Sequence, residues 1–248
     1  MRPGLKMIAE KVAFGGDRRE RALSAALSAH YRSLFRRQWQ LAPEPPHFYD
    51  HRIDLHALAA GGGVPFSWFR AFFAAQLMRS GDRVLDIGCG DGLFAARFFA
   101  QRVAQVDALD IEPSAIEHAK RYNAAPNVSY HLLDAVEQPF PADRYDVVVW
   151  DGAIGHFPRE TTGRVLEKVA SALAPDGAFA GSESLGQEGH DHLQFFADLG
   201  ALRKVLAPHF PQLGLTEIEY KIPAGLMRRE AFWRAAADPA RIDAAGWS

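Results

Sequence analysis

Three alternate glycines follow a short apolar run that contains a carboxylate, and this spacing is suited to ligand binding. Val84–Ile87 leads into Gly88, Gly90 and Gly92, with Asp86 two residues before the first glycine. Glycine allows a backbone to take positive φ or to approach a ligand closely. Such a loop, set between a strand and a helix, presents backbone amides to a nucleotide-like group. A carboxylate here disfavours a pyrophosphate and suits a ligand with an ammonium or sulfonium group.

Two other interpretations of the glycines stay open at this point. A dinucleotide-binding fingerprint needs G-x-G-x-x-G, and the chain has Leu93 at its last position, with Gly92 one residue early. An NAD site and an ordinary turn with chance glycines are therefore the alternatives. Asp110, eighteen residues after Gly92, can bind both ribose hydroxyls, as an acid does in any nucleotide-binding unit of this kind.

The elements that must position these groups alternate from Arg83 onward as strand and helix, which predicts parallel strands. Near-continuous apolar runs indicate strands buried on both faces. The predicted strands are Arg83–Ile87, Gln105–Leu109, Val128–Leu132, Tyr145–Trp150 and Ala178–Ser182, with a closing pair at Leu213–Lys221 and Leu226–Ala235. The predicted helices are Leu93–Ala100, Pro113–Asn123, Arg159–Leu173 and His192–Leu206.

At the residues Val84-Leu85-Asp86-Ile87-Gly88-Cys89-Gly90-Asp91-Gly92 the chain resembles the class I S-adenosylmethionine-dependent methyltransferases. The resemblance extends over about residues 80–183. It implies an α/β, Rossmann-like, doubly wound sheet of seven mostly parallel strands with an antiparallel C-terminal strand. It also implies S-adenosyl-L-methionine as cofactor.

The resemblance assigns roles to the strand ends. Asp86 contacts the methionine moiety, Asp110 the ribose and Asp134 the adenine, and Asp151 lies again near the methionine end. Ile111 packs on the adenine face. An acid that ends a strand can also be only a helix cap, and that alternative stays open for Asp110, Asp134 and Asp151. The cofactor-binding residues implied are Asp86, Gly88, Cys89, Gly90, Asp110, Ile111, Asp134, Ala135 and Asp151.

Methyl transfer from a sulfonium depends mainly on positioning, and a hydroxyl acceptor also needs a base. His156, just past the fourth strand, is the candidate catalytic base; the alternative is a surface histidine. The substrate-contacting candidates are Tyr49 and Arg52, from an aromatic and charged segment ahead of the core, and Glu183 and His190, from the end of the fifth strand. The His-x-His at His190 gives only a weak metal signal, so no metal is predicted.

The chemistry of the motifs excludes several acceptors. Methylation of cytosine carbon needs a nucleophilic cysteine, and Cys89, the one cysteine of the chain, lies inside the glycine loop. Amide and exocyclic-amine methyltransferases carry Asn/Asp-Pro-Pro-aromatic after the fourth strand, whereas this chain has Asp151-Gly-Ala-Ile. The remaining hypothesis is O- or N-methylation of a small molecule, such as a sugar or secondary metabolite.

Length and charge set the outer bounds. The 248 residues suit one α/β domain, residues 65–248, preceded by a helical lid, residues 1–64, with a helix predicted over Asp17–Gln38. A net charge of −2 argues against a nucleic-acid binder. The basic residues concentrated before residue 40 leave RNA or protein methylation as an alternative function. A cofactor-binding protein without turnover is a further alternative. The single cysteine and the absence of a long apolar run predict a cytoplasmic protein with no membrane partner.

Overall fold

Seven strands form one sheet with the order β3-β2-β1-β4-β5-β7-β6. All neighbours are parallel except β7, which runs antiparallel to both β5 and β6. This is the predicted Rossmann-like, doubly wound sheet with an antiparallel C-terminal strand. The strands are β1 Arg83–Ile87, β2 Gln105–Asp110, β3 Val128–Leu132, β4 Tyr145–Asp151, β5 Leu173–Leu185, β6 Gln212–Lys221 and β7 Met227–Ala236.

The computed structural model describes residues 17–36, 48–54, 66–186, 192–221 and 227–243. The chain divides into two compact units, Met1–Pro65 and Phe66–Ser248. The helices are α1 Asp17–Arg36, α2 Ser67–Ala75, α3 Pro113–Tyr122, α4 Arg159–Ala172, α5 Leu199–Leu206 and α6 Pro239–Asp243, with a π-helical turn at Ala95–Phe99 and a 3-10 turn at Ile154–His156. In the part of the chain that the structure describes, no helix combines the length and the apolar character needed to cross a membrane.

The sheet is buried on both faces, as the continuous apolar runs predicted. One core cluster contains Leu85, Val148 and Trp150. The other contains their sequence neighbours Val84, Val147 and Val149. Successive residues of a strand point to opposite faces, so β1 and β4 contribute to both cores at once. This double burial holds the central strands, and therefore the residues at their carboxyl ends, in a fixed register.

The helix predicted at His192–Leu206 is wrong in its first half. The helix begins at Leu199, where the Asp198 side chain accepts a hydrogen bond from Ala201 N and caps it. The residues before it are held by the sheet instead: Phe196 bridges Leu185 at the end of β5. Asp198 is the capping residue that the apolar periodicity of the segment concealed.

The fifth strand is longer than its predicted range of Ala178–Ser182. β7 pairs with it from Ala178 to Leu185, and a separate pairing of Leu173 with Tyr145, across a register irregularity, extends its start. Pairing with a strand some fifty residues later in the chain is not visible in the local pattern. The extension carries Glu183 into the sheet rather than leaving it at the strand's end.

The N-terminal unit is described in two stretches. Helix α1 is described from Asp17, the predicted start, to Arg36; Gln38, the predicted end, lies outside the described residues. Residues 52–54 form one helical turn. The role of residues 1–64 as a lid stays a prediction.

Candidate functional site

The glycine loop follows β1 and turns back toward β2. Gly88, Gly90 and Gly92 have φ values of 70°, 53° and 72°, a left-handed conformation that penalises residues with a Cβ. The backbone N–H groups of Gly88 and Cys89 both donate to Leu109 O, at 2.8 and 3.0 Å. These bonds fix the loop against the end of β2.

Gly92 is required by packing behind the loop. A Cβ there would lie 2.7 Å from the Tyr130 ring and 2.8 Å from Ala119 Cβ. The Tyr130 hydroxyl lies 3.1 Å from Gly92 O and 2.7 Å from Asn123 O, and Asn123 Nδ2 donates to Asp91 O at 2.8 Å. The loop is thus braced by two side chains that sequence analysis did not find, because they lie about 30 to 40 residues later, directly after α3 and on β3.

Asp110 ends β2 and is hydrogen-bonded to the backbone on both sides. Its Oδ2 accepts from Gly90 N and its Oδ1 from Glu112 N, each at 2.9 Å. Burial raises the pKa of this carboxyl, against the lowering effect of these amides. Because a carboxylate oxygen carries two lone pairs, each oxygen keeps room for one more donor. That is the arrangement a ribose diol needs. Ile111 beside it is exposed.

Asp86 is buried on β1, and its pKa is raised to about 8 by burial and then by the charges of Asp151 and Asp110. A cation bound among these three carboxyls would reverse the shift. Burial, and then the charge of Asp86, also raise the pKa of the Cys89 thiol. Cys89 is therefore a neutral thiol at pH 7, consistent with its exclusion as a nucleophile.

Asp134 caps a turn after β3. Its Oδ1 accepts from Val136 N at 2.7 Å, and its own N–H donates to Gln138 Oε1 at 2.9 Å. The capping alternative thus applies to one oxygen, and contact with an adenine stays a prediction for the other. Ala135 is buried, and its carbonyl accepts from Lys168 Nζ at 2.5 Å.

A polar row continues from Asp86 across the sheet face that packs against α2, through Asp151, Ser182 and Glu230. Ser182 Oγ donates to Asp151 Oδ1 at 2.6 Å and lies 3.2 Å from Glu230 Oε1. Asp151 is itself the last residue of β4, as predicted. Ser182 and Glu230 were not predicted, because the pairing of β5 with β7 brings them together.

Arg70, from α2, supplies the positive charge of this row. Its Nη2 lies 2.5 Å from Glu230 Oε1, and Glu230 is fully buried. Burial lowers the pKa of Arg70, but Glu230 and then Asp151 outweigh burial and raise it overall. Acids and a guanidinium therefore stand side by side, which matches a ligand group that carries an ammonium and a carboxylate. Arg70 was missed; the signal was a lone basic residue in the apolar helix SWFRAFFAA.

His156 lies on the 3-10 turn after β4, where it was predicted, and its side chain is exposed. Its ring stands perpendicular to that of His192, with the ring centroids 4.5 Å apart. Glu183, buried on β5, accepts from Gly155 N at 2.8 Å. Through Gly155, the structure thus connects Glu183 of β5 to the turn that carries His156. It also places His192 against His156, whereas the sequence pattern predicted only a helix start and a weak metal motif at His192.

Tyr49 and Arg52 are engaged within their own segment. The Tyr49 hydroxyl donates to Asp54 Oδ1 at 3.0 Å. Arg52 forms an ion pair with Asp50, with Nε 2.9 Å from Oδ1 and Nη2 2.5 Å from Oδ2. Their contact with an acceptor stays a prediction. His190 lies outside the described residues.

The residues present fit S-adenosylmethionine in chemical type. The diol of the nucleoside matches the two open positions of Asp110, and the positive charge of the donor matches the acids around Asp86. The amino-acid end matches the mixed charges of Asp151 and Arg70. A pyrophosphate, by contrast, would be repelled by the ionised form of Asp86, which disfavours the NAD alternative.

Comparison with known proteins agrees. Residues 84–177 match the family described as Methyltransferase domain. The 27-O-demethylrifamycin SV methyltransferase of Amycolatopsis mediterranei is 34% identical over 107 residues, 42% of this chain and 39% of that protein. EEF1A lysine methyltransferase 4 of Mus musculus is 27% identical over 148 residues, 52% of this chain and 57% of that protein. The chain spans less than half the length of the first curated relatives it matches.

A solved structure has the same fold. The N-methyltransferase NodS from Bradyrhizobium japonicum, in complex with S-adenosyl-L-homocysteine, has a TM-score of 0.53 and 18% identity, with coverage of 69% of this chain and 88% of that one. S-adenosyl-L-methionine is the cofactor of this group. With its sheet order, its glycine loop and the match over residues 84–177, this chain is similar to the class I S-adenosylmethionine-dependent methyltransferases.

Proposed function

We propose that this chain transfers a methyl group from S-adenosyl-L-methionine to a hydroxyl or amine of a small molecule, with His156 as the general base. The observation that carries the proposal is the position of the cofactor-binding acids relative to the candidate base. Asp86 and Asp110 flank the glycine loop at the ends of β1 and β2, and His156 follows the neighbouring strand β4. The ends of adjacent parallel strands meet at one edge of the sheet, where ligands of such folds bind.

The chain's own residues have three tasks in this reaction. When bound, S-adenosylmethionine supplies a methyl group that is attached to a sulfonium; once the methyl group is transferred, a neutral thioether remains. The acids around Asp86 hold the positive end, and Asp110 anchors the ribose. Little charge must be stabilised on the leaving group, so the acceleration comes from orientation. His156 accepts the proton that a hydroxyl acceptor must lose.

A small-molecule acceptor is supported by the rifamycin methyltransferase among the relatives. The alternative is methylation of RNA or protein by way of the basic N-terminal segment, and the lysine methyltransferase among the relatives favours the protein version. A cofactor-binding protein without turnover is the third possibility. A cytoplasmic location remains part of the proposal.

The acceptor can be found with methyl-labelled S-adenosylmethionine and the small-molecule, RNA and protein fractions of a cell extract, each assayed separately, followed by mass identification of labelled products. The expected result is a labelled small molecule that forms only in the presence of the protein. Label found only in RNA or in protein would overturn the small-molecule assignment. No label in any fraction, despite cofactor binding, would favour a non-catalytic protein.

The base is tested with His156→Ala. We expect turnover of the identified acceptor to fall by about 100-fold or more, a usual contribution for a positioned acid or base, while affinity for S-adenosyl-L-homocysteine is unchanged. Leu193→Ala, an exposed side chain of the neighbouring segment, is the control and should keep its rate. Equal rates for His156→Ala and wild type across the pH range would remove His156 from the mechanism.

The predicted acceptor contacts of the N-terminal unit are tested in the same assay. Tyr49→Phe removes the hydroxyl that donates to Asp54, and Arg52→Leu removes the cation beside Asp50. An acceptor role predicts a raised KM for the acceptor with unchanged affinity for S-adenosyl-L-homocysteine. An unchanged KM in both variants would contradict it.

A further inference from the structure

The Asp134 turn, residues 134–138, is joined to the end of β2 that carries the predicted ribose contact. Leu133, the residue before Asp134, donates its N–H to Asp110 O at 3.0 Å. Asp134 Oδ1 accepts from Val136 N at 2.7 Å and from Glu137 N at 3.3 Å. Among the described residues, no group donates a hydrogen bond to the second oxygen, Oδ2. One oxygen of Asp134 is therefore available to a ligand at the carboxyl edge of the sheet, where ligands of such folds bind.

The Asp134 turn has little support of its own. The connection from β3 to β4, residues 133–144, is described throughout and contains turns but no helix. Within the turn, Asp134 O accepts from Gln138 N at 3.0 Å, and Asp134 N donates to Gln138 Oε1 at 2.9 Å. Gln138 is exposed, and a turn closed by exposed hydrogen bonds opens at low cost in free energy. The position of the Asp134 carboxylate therefore depends on what holds the turn from outside.

Lys168, on α4, supplies this outside support. Its Nζ donates to Ala135 O and to Gln138 O, each at 2.5 Å, so one ammonium holds the backbone of the turn at its second and last residues. The ammonium also lies 4.7 Å from the centre of the Phe140 ring, within the range of a cation–π attraction. Val169, beside Lys168 on α4, is buried in the core. Lys168 therefore connects the turn to a fixed part of the domain.

A second basic side chain of α4 contacts the same turn more weakly. Arg164 Nη2 lies 3.2 Å from Glu137 Oε1, and both side chains are more than half exposed. Exposed ion pairs contribute little to stability, and this pair holds a side chain rather than the backbone. Burial lowers the pKa of Lys168, and the charge of Asp134 opposes that effect. The Lys168 ammonium thus attracts the Asp134 carboxylate in addition to binding the carbonyls of its turn.

We propose that Lys168 is a positioning residue, which fixes the Asp134 turn so that Asp134 Oδ2 accepts a hydrogen bond from the amino group of the donor's adenine. This rests on the proposed methyl transfer and on the predicted contact of Asp134 with the adenine. Lys168 acts through the turn, since both of its hydrogen bonds go to backbone carbonyls. A base with an oxygen in place of the amino group would set an acceptor against the carboxylate, and neither atom carries a proton. A fixed turn rejects such a base because the unpaired groups are costly.

The test compares two nucleosides by calorimetry: S-adenosyl-L-homocysteine and S-inosyl-L-homocysteine, in which an oxygen replaces the amino group of the base. In the wild type we expect the adenosyl form to bind about tenfold tighter or more, the usual effect of one hydrogen bond to a charged group. Lys168→Met removes the ammonium from a chain of similar length and should lose most of this preference. Asp134→Ala should lose it as well, and adding Lys168→Met to that variant should not lower the ratio of the two Kd values further.

Arg144→Met is the matched control. Arg144 Nη1 also donates to a backbone carbonyl, Leu173 O at 3.1 Å, but outside the Asp134 turn, so this variant should keep the wild-type preference. Amide hydrogen exchange gives a second readout that needs no ligand. The N–H of Val136, which donates to Asp134 Oδ1, should exchange faster in Lys168→Met than in the wild type or in Arg144→Met.

Four results would overturn the inference while leaving methyl transfer intact. They are equal binding of both nucleosides by the wild type, a wild-type preference in Lys168→Met, an equal loss of preference in Arg144→Met, and a further loss when Lys168→Met is added to Asp134→Ala. If Lys168→Met does not fold, Lys168→Gln, which removes the charge and shortens the side chain, is measured against the same expectations. Failure of the proposed function has a different signature, namely no transfer of labelled methyl by the wild type to any fraction.

Discussion

The two sides of the candidate site are constructed differently. The donor side, at the ends of β1 and β2, consists of the glycine loop, Asp86 and Asp110, all within 25 residues of one another. The acceptor side, at the ends of β4 and β5 and the start of β7, also faces the amino-acid end of the methyl donor, and it depends on pairs such as Arg70 and Glu230, which are 160 residues apart in sequence. The donor side is held by backbone hydrogen bonds and the acceptor side by buried charges. The donor side therefore depends on residues close in sequence, whereas the acceptor side depends on the packing of the whole domain.

The largest expected effect is on stability and lies on the acceptor side. Arg70→Leu leaves the buried Glu230 with its longer ion pair to Arg228, Nε to Oε2 at 3.3 Å, and breaking one buried pair in this way costs up to about 3–5 kcal/mol of unfolding free energy. Arg164→Leu removes an exposed pair with Glu137 and should cost under about 1 kcal/mol. Urea denaturation of both variants measures the difference. Equal losses would mean that the polar row does not hold the acceptor side together.

The donor side should respond in affinity rather than stability. Asp110→Ala removes the carboxylate that would accept from two ribose hydroxyls, and two bonds to a charged group are together worth about 3 kcal/mol or more, roughly 100-fold in Kd. Asp110→Asn keeps one acceptor oxygen, so its Kd should lie between those of the wild type and of Asp110→Ala. Calorimetry with S-adenosyl-L-homocysteine gives the values. An unchanged Kd in the alanine variant would remove Asp110 from the site.

A smaller effect, on the free energy of unfolding, tests the packing behind the glycine loop separately from its ligand contacts. Gly92→Ala adds a Cβ that meets Tyr130 and Ala119, in addition to the strain of a φ of +72°. Gly81→Ala has a φ of +98° but nothing within 4 Å of the new Cβ, so it carries the backbone strain alone. We expect Gly92→Ala to be the less stable of the two by about 1–3 kcal/mol, the usual cost of overpacking. Thermal unfolding measures it, and equal midpoints would contradict the packing assigned to Tyr130.

The smallest expected effect is the release of a proton when the cofactor binds. The pKa of Asp86 is about 8 in the free protein, so the carboxyl is mostly protonated at pH 7. A bound cation would favour its ionised form, and binding should then release most of one proton. Calorimetry at pH 7 in two buffers of different ionisation enthalpy measures it, with Asp86→Asn as the control that releases none. Identical heats in both buffers would contradict a cation beside Asp86.

The same carboxyl affects folding with a definite sign. Its folded pKa is raised above the ordinary value of 3.8, so the folded state binds more protons than the unfolded state between about pH 4 and pH 8. The contribution of Asp86 to stability is therefore present below that window and is lost as the pH rises through about 8. In Asp86→Asn this part of the pH dependence should disappear.

Sequence predicted the strands and the glycine loop of the donor side well, for a physical reason. The glycines and Asp110 act through backbone conformation and strand ends, which neighbouring residues determine, and strands β1 and β3 were predicted to the residue. The acceptor side depends on which distant strands pair. Ser182 and Glu230 become neighbours only through the pairing of β5 with β7, and His192 meets His156 only because Gly155 joins their segments. No local pattern carries that information.

The central claim is that S-adenosyl-L-methionine binds over the glycine loop, with its ribose on Asp110. The most direct measurement is a calorimetric titration of the purified protein with S-adenosyl-L-homocysteine, the demethylated product. The account predicts saturable binding at one site per chain, at least tenfold tighter than binding of NAD under the same conditions. No heat of binding from the product or from the methyl donor, or tighter binding of NAD, would contradict it.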